Sequence, residues 1–246
     1  MKGVILAAGR GARLNGGKGD MPKCLVTLGG ETMLSRNIRV LRSAGIGDIV
    51  VVVGCAAETV RRTSPDVTFV ENEIFAQTNS LYSLWLARTL LGEGFVVMNC
   101  DVLVHPQLVD DLVTARHEDA LLLAYRDEGT CYGDEEMKVR VRRGRVVDIS
   151  KTMDPDDADG ENLGIVKFGA DGARRLVATM DALVAAGEHK AWVPRAFKAF
   201  AAERPLHVIG TRGYPWIEID FPEDYRRAVE VVLPQIETPH PVAKSA

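Results

Sequence analysis

The sequence predicts an α/β fold in which a mostly parallel sheet is flanked by helices. Three observations predict it. Apolar, β-branched runs without strict alternation recur at residues 48–53, 67–70 and 94–100, the pattern of strands buried on both faces. Segments with helical spacing lie between them, so the early chain reads β-α-β-α-β, the order of parallel strands joined by covering helices. Hydrophobic residues make up 46% of the 246 and charged residues 26%, which suits one large core.

Residues 3–5 open the chain as a short buried strand that empties into a glycine-rich loop. Residues 24–28 read as a further short strand, turned by Gly29 and Gly30. Glu31 and Thr32 open a helix whose Leu34, Ile38 and Leu41 share one face, and Gly45 is its stop. The strand at 48–53 ends at Gly54, a short helix is expected at 58–62, and a third strand at 67–70. A polar connection then leads to a helix at 81–91. Thr78, Asn79 and Ser80 are good capping residues for it, and they also lie at a strand's carboxyl end, where open α/β sheets bind ligands. The strand at 94–100 ends in Asp101, an acid that is costly there unless it meets solvent or a cation.

Residues 106–116 are expected as a helix with Pro106 in its first turn, and 120–125 as a strand. Residues 134–141 alternate and pair with 146–150 through Arg143-Gly144, which predicts an inserted β-hairpin. Lys138 and Lys151 flank that hairpin. Each can neutralise an anionic ligand, although exposed strands commonly carry lysine. An acidic loop at 154–161 leads through Glu161 into a strand at 162–168. Helices follow at 172–186 and 192–202, then a strand at 206–210. In Trp216-Ile217-Glu218-Ile219-Asp220 the two acids share one face of a strand. A helix at 222–232 closes a single domain spanning 1–233, and 234–246, with little periodicity, is expected to be a flexible tail.

The net charge of −4 argues against nucleic-acid and membrane-surface partners. The apolar run after Met1 is too short for a signal peptide or spanning helix. The cysteines Cys24, Cys55, Cys100 and Cys131 are scattered, with no zinc or disulfide spacing. A soluble cytoplasmic protein is the expectation, and a homodimer is left open.

The chemistry concentrates after the first strand. Bare backbone N–H groups in a glycine loop favour phosphate, and Arg13 and Lys23 add full charges beside it. Two familiar phosphate motifs are absent. The dinucleotide fingerprint needs glycine where Leu14 stands, and the P-loop needs a serine or threonine where Gly19 stands. Leu6-Ala7-Ala8-Gly9-x-Gly11-x-Arg13-Leu14 with the downstream Pro22-Lys23 instead resembles the signature of nucleotidyltransferases that activate sugar phosphates and related phosphomonoesters. Thr78-Asn79-Ser80-Leu81-Tyr82-Ser83-Leu84, Asp134-Glu135-Glu136-Met137-Lys138-Val139 and Gly160-Glu161-Asn162-Leu163-Gly164-Ile165 resemble segments of its choline-phosphate and phosphonate cytidylyltransferase branch.

The resemblance implies a Rossmann-like fold, akin to the nucleotidyltransferase and GT-A architectures, with the hairpin as acceptor region. It implies nucleotide contacts at Leu6, Ala7, Ala8, Gly9, Gly11, Thr78, Asn79 and Ser80, and catalytic charge at Arg13 and Lys23. It also implies Mg²⁺ ligands at Asp101 and Asp220, and acceptor contacts at Lys138, Lys151, Glu161 and Trp216. The implied reaction joins CMP from CTP to a small phosphomonoester or phosphonate with loss of pyrophosphate. A choline-like acceptor would want aromatic faces such as Tyr132, Trp192, Tyr214 and Trp216, and a more anionic one would suit Lys138, Lys151 and Arg195. The alternatives are a sugar-1-phosphate nucleotidyltransferase using another triphosphate, and a nucleotide-binding domain without turnover. A GT-A glycosyltransferase is disfavoured, because Asn99-Cys100-Asp101 stands where Asp-x-Asp is required.

Overall fold

The structure, a computed structural model, describes residues 1–14, 21–127 and 129–238. The first strand, β1 (Lys2–Ala7), sits inside the sheet between two parallel neighbours. Its side chains alternate, with Val4 and Leu6 entering one core and Ile5 and Ala7 the other. A strand apolar on both faces needs cover on both, and helices provide it. The glycine loop follows. The expected strand at 24–28 is instead a tight 3₁₀ turn at Lys23–Leu25, then a two-residue ribbon of β2 (Thr27–Leu28) with β3 (Glu31–Thr32). Helix α1 (Met33–Ser43) is capped by Thr32, whose Oγ1 accepts from the Ser35 N–H at 3.1 Å. It stops at Gly45, where φ is +82°.

Strand β4 (Ile49–Val53), helix α2 (Ala57–Thr63) and strand β5 (Thr68–Glu71) complete the first parallel units. Helix α3 (Ser80–Leu86) is shorter than expected and passes into a 3₁₀ turn at Arg88–Leu90. Strand β6 (Phe95–Asn99) lies beside β1, and β7 (Val102–Val104), not anticipated from the sequence, follows it directly. Then come α4 (Pro106–Thr114), β8 (Ala120–Tyr125), β9 (Lys138–Arg142), β10 (Arg145–Ser150) and β11 (Gly160–Phe168). The last elements are α5 (Ala170–Ala185), α6 (Pro194–Glu203), β12 (His207–Gly210), β13 (Trp216–Glu218), α7 (Pro222–Arg227) and α8 (Leu233–Glu237).

The main sheet has nine strands in the order β5-β4-β1-β6-β11-β8-β12-β10-β9. The fold class is the expected α/β one, with a mixed sheet. The β5-β4-β1-β6 half is parallel, and β11 enters antiparallel to both β6 and β8. The inserted hairpin is β9–β10, and β9 also pairs with β11. A separate ribbon, β7 with β13, is packed by Leu103, Ile217 and Ile219 onto Val232 and Leu233. That packing draws the C-terminal helices into the body of the protein. Residues 234–237, expected in the tail, are therefore helical, with Pro234 in a first turn where its missing N–H costs nothing. The rest of the expected tail, from 239, lies outside the described residues. Among the described residues, no helix is long and apolar enough to cross a membrane.

Candidate active site

The carboxyl end of β1 opens into a cavity of about 310 Å³ lined by Leu6, Ala8, Gly9 and Gly11 on one side. Gly11 has φ +65°, and a Cβ there would stand 2.8 Å from the Met21 carbonyl and 3.0 Å from Lys23 Cγ. Only glycine lets the returning segment lie this close, and that approach delivers Lys23 to the cavity. Gly9 is different, because a Cβ there would meet nothing within 4 Å. Ala7, expected as a nucleotide contact, points into the core at 1% exposure, while its neighbours Leu6 and Ala8 face the cavity.

Thr78, Asn79 and Ser80 line the same cavity, and the protein also uses each of them. Asn72 Nδ2 donates to Thr78 Oγ1 at 3.0 Å, Asn79 Oδ1 caps α3, and Ser80 Oγ accepts from the Val193 N–H at 3.0 Å. Capping and cavity lining are thus the same residues.

Asp101 and Asp220, 119 positions apart in sequence, meet here. Strand β6 lies beside β1, so its end emerges next to the glycine loop, and the Cys100 N–H donates to the Leu6 carbonyl at 3.2 Å. The β7–β13 register sets Glu218 against Val102, and the Ile219 N–H extends it to the Asp101 carbonyl at 2.9 Å. The Lys23 ammonium then bridges the two acids, 3.0 Å from Asp101 Oδ2 and in contact with Asp220 Oδ1. Arg13 holds Asp220 from the other side at 2.9 Å and Glu135 at 2.7 Å, with its guanidinium over the Phe221 ring. Asp224, which the sequence reading did not single out, accepts from the Asp220 and Phe221 N–H groups at 3.0 and 2.8 Å and so fixes the backbone that presents Asp220.

Asp101 Oδ1 is buried with no hydrogen-bond partner among the described residues. A buried carboxylate oxygen left this way costs about 1–3 kcal/mol or more, which a cation would recover. Among the described residues no cluster of three or more His, Cys, Asp or Glu forms a ready metal cage. Mg²⁺ keeps several waters and needs only one or two carboxylates, so Asp101 and Asp220 fit it.

A second cavity, of about 870 Å³, adjoins the first and shares Glu135, Glu218 and Asp220 with it. Its wall is aromatic and acidic, with Tyr132, Tyr214 and Trp216 beside Glu161 and Glu218. The carboxylates of Glu161 and Glu218 have no hydrogen bond or ion pair among the described residues. Burial, reinforced by Glu218 and Glu136, pushes Glu161 up to about 8. Burial, reinforced by Asp101, pushes Glu218 up to about 7. Two such acids in one wall make a site that is short of a cation.

The acceptor residues divide between the cavities. Lys151 lines the first, 3.1 Å from Glu135 and over the Trp192 ring, while Glu161 and Trp216 line the second. Lys138 does not face either as an acceptor cation. It is 1% exposed, and its ammonium donates to the Gly133 carbonyl in the turn before β9. Arg195 is spent on Glu188, with both bonds at 3.0 Å. Of the aromatic residues weighed for a choline-like group, Tyr132, Tyr214 and Trp216 line the acidic cavity, and Trp192 the first one. Glu218 was legible as sharing a face with Asp220, two positions on, but that signal was read only for Asp220.

The chain is similar to known proteins along most of its length. The chain is 32% identical over 239 residues to the bifunctional IPC transferase and DIPP synthase of Rubrobacter xylanophilus, covering 94% of this chain and 51% of that protein. It is 27% identical to the choline-phosphate cytidylyltransferase of Streptococcus pneumoniae, covering 94% of this chain and 98% of that one. The solved structure of CTP:phosphocholine cytidylyltransferase from Streptococcus pneumoniae superposes with a TM-score of 0.79 at 28% identity, over 94% of this chain and 98% of that one. The chain thus spans about half of the Rubrobacter relative and nearly all of the streptococcal one. The family profile described as the MobA-like NTP transferase domain matches residues 3–213, and the chain belongs to that family of nucleotidyltransferases.

Proposed function

We propose that this chain is an Mg²⁺-dependent cytidylyltransferase whose acceptor is a small phosphomonoester or phosphonate bearing an ammonium group. One observation carries it. Asp101 and Asp220 converge between a cavity lined by a glycine loop with Arg13 and Lys23, and a cavity walled by aromatic rings and the carboxylates of Glu161 and Glu218. The first suits a triphosphate and the second a cation. The choice of CTP is supported by the names of the streptococcal relatives.

A phosphate or phosphonate oxygen of the acceptor attacks the α-phosphorus, and pyrophosphate leaves. The second pKa of a phosphomonoester is about 6, so the attacking oxygen is already an anion at neutral pH and no general base is required. What remains is positioning and charge. Arg13 and Lys23, which line the first cavity, would take up negative charge on the leaving group. Lys151, lining the first cavity beside Glu135, adds a third cation. Glu161, Glu218 and the aromatic wall hold the ammonium end and aim the anionic end at the nucleotide. Bound between Asp101 and Asp220, Mg²⁺ would neutralise charge on the phosphates.

The test is pyrophosphate release from CTP, UTP, GTP and dTTP, each paired with phosphocholine, 2-aminoethylphosphonate and hexose 1-phosphates. CTP with an ammonium-bearing acceptor is expected to turn over fastest, and a chelator is expected to abolish turnover until Mg²⁺ is restored. Preference for a hexose 1-phosphate with another triphosphate would move the reading to a sugar nucleotidyltransferase. Nucleotide binding without turnover on any acceptor would leave only a binding domain.

A further inference from the structure

Glu135 occupies a position that this reaction leaves unexplained. Its Oε2 lies 2.7 Å from Arg13 and 3.1 Å from Lys151. Those are two cations of the nucleotide cavity, and a carboxylate on them competes with the phosphates of a bound nucleotide. Glu135 also lines the acceptor cavity, where the other acids gather. The turn that carries it is braced without its carboxylate. The Gly133 N–H donates to Glu136 Oε2 at 2.7 Å, the Lys138 N–H donates to the Glu136 carbonyl at 3.0 Å, and the buried Lys138 ammonium holds the Gly133 carbonyl. The Glu135 side chain is 52% exposed and lines both cavities.

We infer that Glu135 is a positioning residue that stands in for phosphate on Arg13 and Lys151 until nucleotide binds. Nucleotide displaces it, and the released carboxylate turns to the acceptor cavity and raises affinity for a cationic acceptor there. The inference rests on the reading above of which cavity takes which substrate. It couples the substrates through one side chain, and by linkage each must tighten the other by the same factor.

The experiment is calorimetry with α,β-methylene CTP, which cannot release pyrophosphate, and phosphocholine, in Mg²⁺. In the parent protein the analogue is expected to lower the phosphocholine Kd by about fivefold or more, a usual size for such coupling. Glu135→Gln is expected to bind the analogue about three- to tenfold more tightly, as loss of a competing exposed ion pair implies, and to lose the coupling. An unchanged thermal midpoint of the variant shows that the turn is intact. Weaker or unchanged analogue binding, or coupling that persists in the variant, overturns the inference. Should the variant not fold, absence of coupling in the parent overturns it and presence supports it. A parent that binds no analogue overturns the nucleotide reading and this inference together, whereas normal binding without coupling overturns the inference alone.

Discussion

Gly9 and Gly11 are two positions apart and answer to different demands. Gly11 is required by the protein itself, through its positive φ and the closeness of Met21 and Lys23. Gly9 has no such constraint, so a need for glycine there comes from whatever approaches the loop. Gly11→Ala is expected to lose about 1–3 kcal/mol of stability from backbone strain and crowding. Gly9→Ala is expected to stay within about 0.5 kcal/mol of the parent yet bind nucleotide more weakly. Paired thermal unfolding and nucleotide titration would check this, and normal nucleotide affinity in Gly9→Ala would place the phosphates elsewhere. The acids of the second cavity make a separate expectation. Glu161 and Glu218 have folded values of about 8 and 7, above the ordinary 4.5. The folded state therefore holds protons that the unfolded chain has released, and the free protein loses stability as pH rises from about 4.5 through 8. A cationic acceptor favours the ionised forms, so the KM for phosphocholine should fall by up to about tenfold between pH 6.5 and 8.5. Its quaternary ammonium does not titrate, and KM expressed on the phosphate dianion, whose pKa is about 6, isolates the enzyme's groups. Glu161→Gln should flatten the part of the profile near pH 8.

At the scale of elements, the site depends on a ribbon of three-residue strands. The β7–β13 pairing turns two distant segments into neighbours, and Asp224 then ties the Asp220 and Phe221 amides to the first turn of α7. Asp224→Ala is expected to cost about 1–2 kcal/mol in stability, the usual range for losing a carboxylate that caps a helix start. It should also lower kcat, because Asp220 is then no longer held against Lys23. A variant that loses stability but keeps full kcat would show that Asp220 needs no such support. The acids and cations at the carboxyl ends of strands were legible in the sequence, since a buried apolar run ending in Asp101 and an alternating run ending in Asp220 leave few other roles for a carboxylate. The ribbon joining them was not, because Val102–Val104 is too short to display any period. The apolar 24–28 run failed for a related reason, since a short apolar run does not distinguish a strand from a tight buried turn. Lys138 was misplaced because alternation gives the face of a strand but not what covers that face, and here the preceding turn takes the ammonium at the Gly133 carbonyl.

The whole molecule divides at one seam. The parallel half, β5-β4-β1-β6, carries the glycine loop and Asp101, while β11 itself carries Glu161 and the strands beyond it the hairpin. Strand β11 pairs along one edge with β6, through residues 165–168, and with β9, through Gly160 and Glu161, and along its other edge with β8, so it sets the distance between the two cavities. Its pairing with β8 shifts register between Asn162 and Val166, and Gly164 lies inside that irregularity with φ +74°. A Cβ on Gly164 would stand 2.5 Å from Asn99 Nδ2, on the strand that leads to Asp101. Gly164→Ala therefore tests whether the seam sets the reaction geometry. Strain at positive φ and displacement of Asn99 are expected to cost about 1–3 kcal/mol of stability. The sheet itself should survive, because Ile165, Val166 and Phe168 keep their pairing with β6. Gly164 and Asn99 line the first cavity, so nucleotide affinity should fall somewhat while acceptor affinity stays nearly as before. Turnover should fall further than either affinity, because in-line attack tolerates little change in the separation of the two groups. Separate measurements of both Kd values, kcat and the thermal midpoint on the same preparation would decide it. A variant that loses nucleotide affinity as steeply as kcat would mean that Asn99 acts on the nucleotide alone and that β11 is not the spacer.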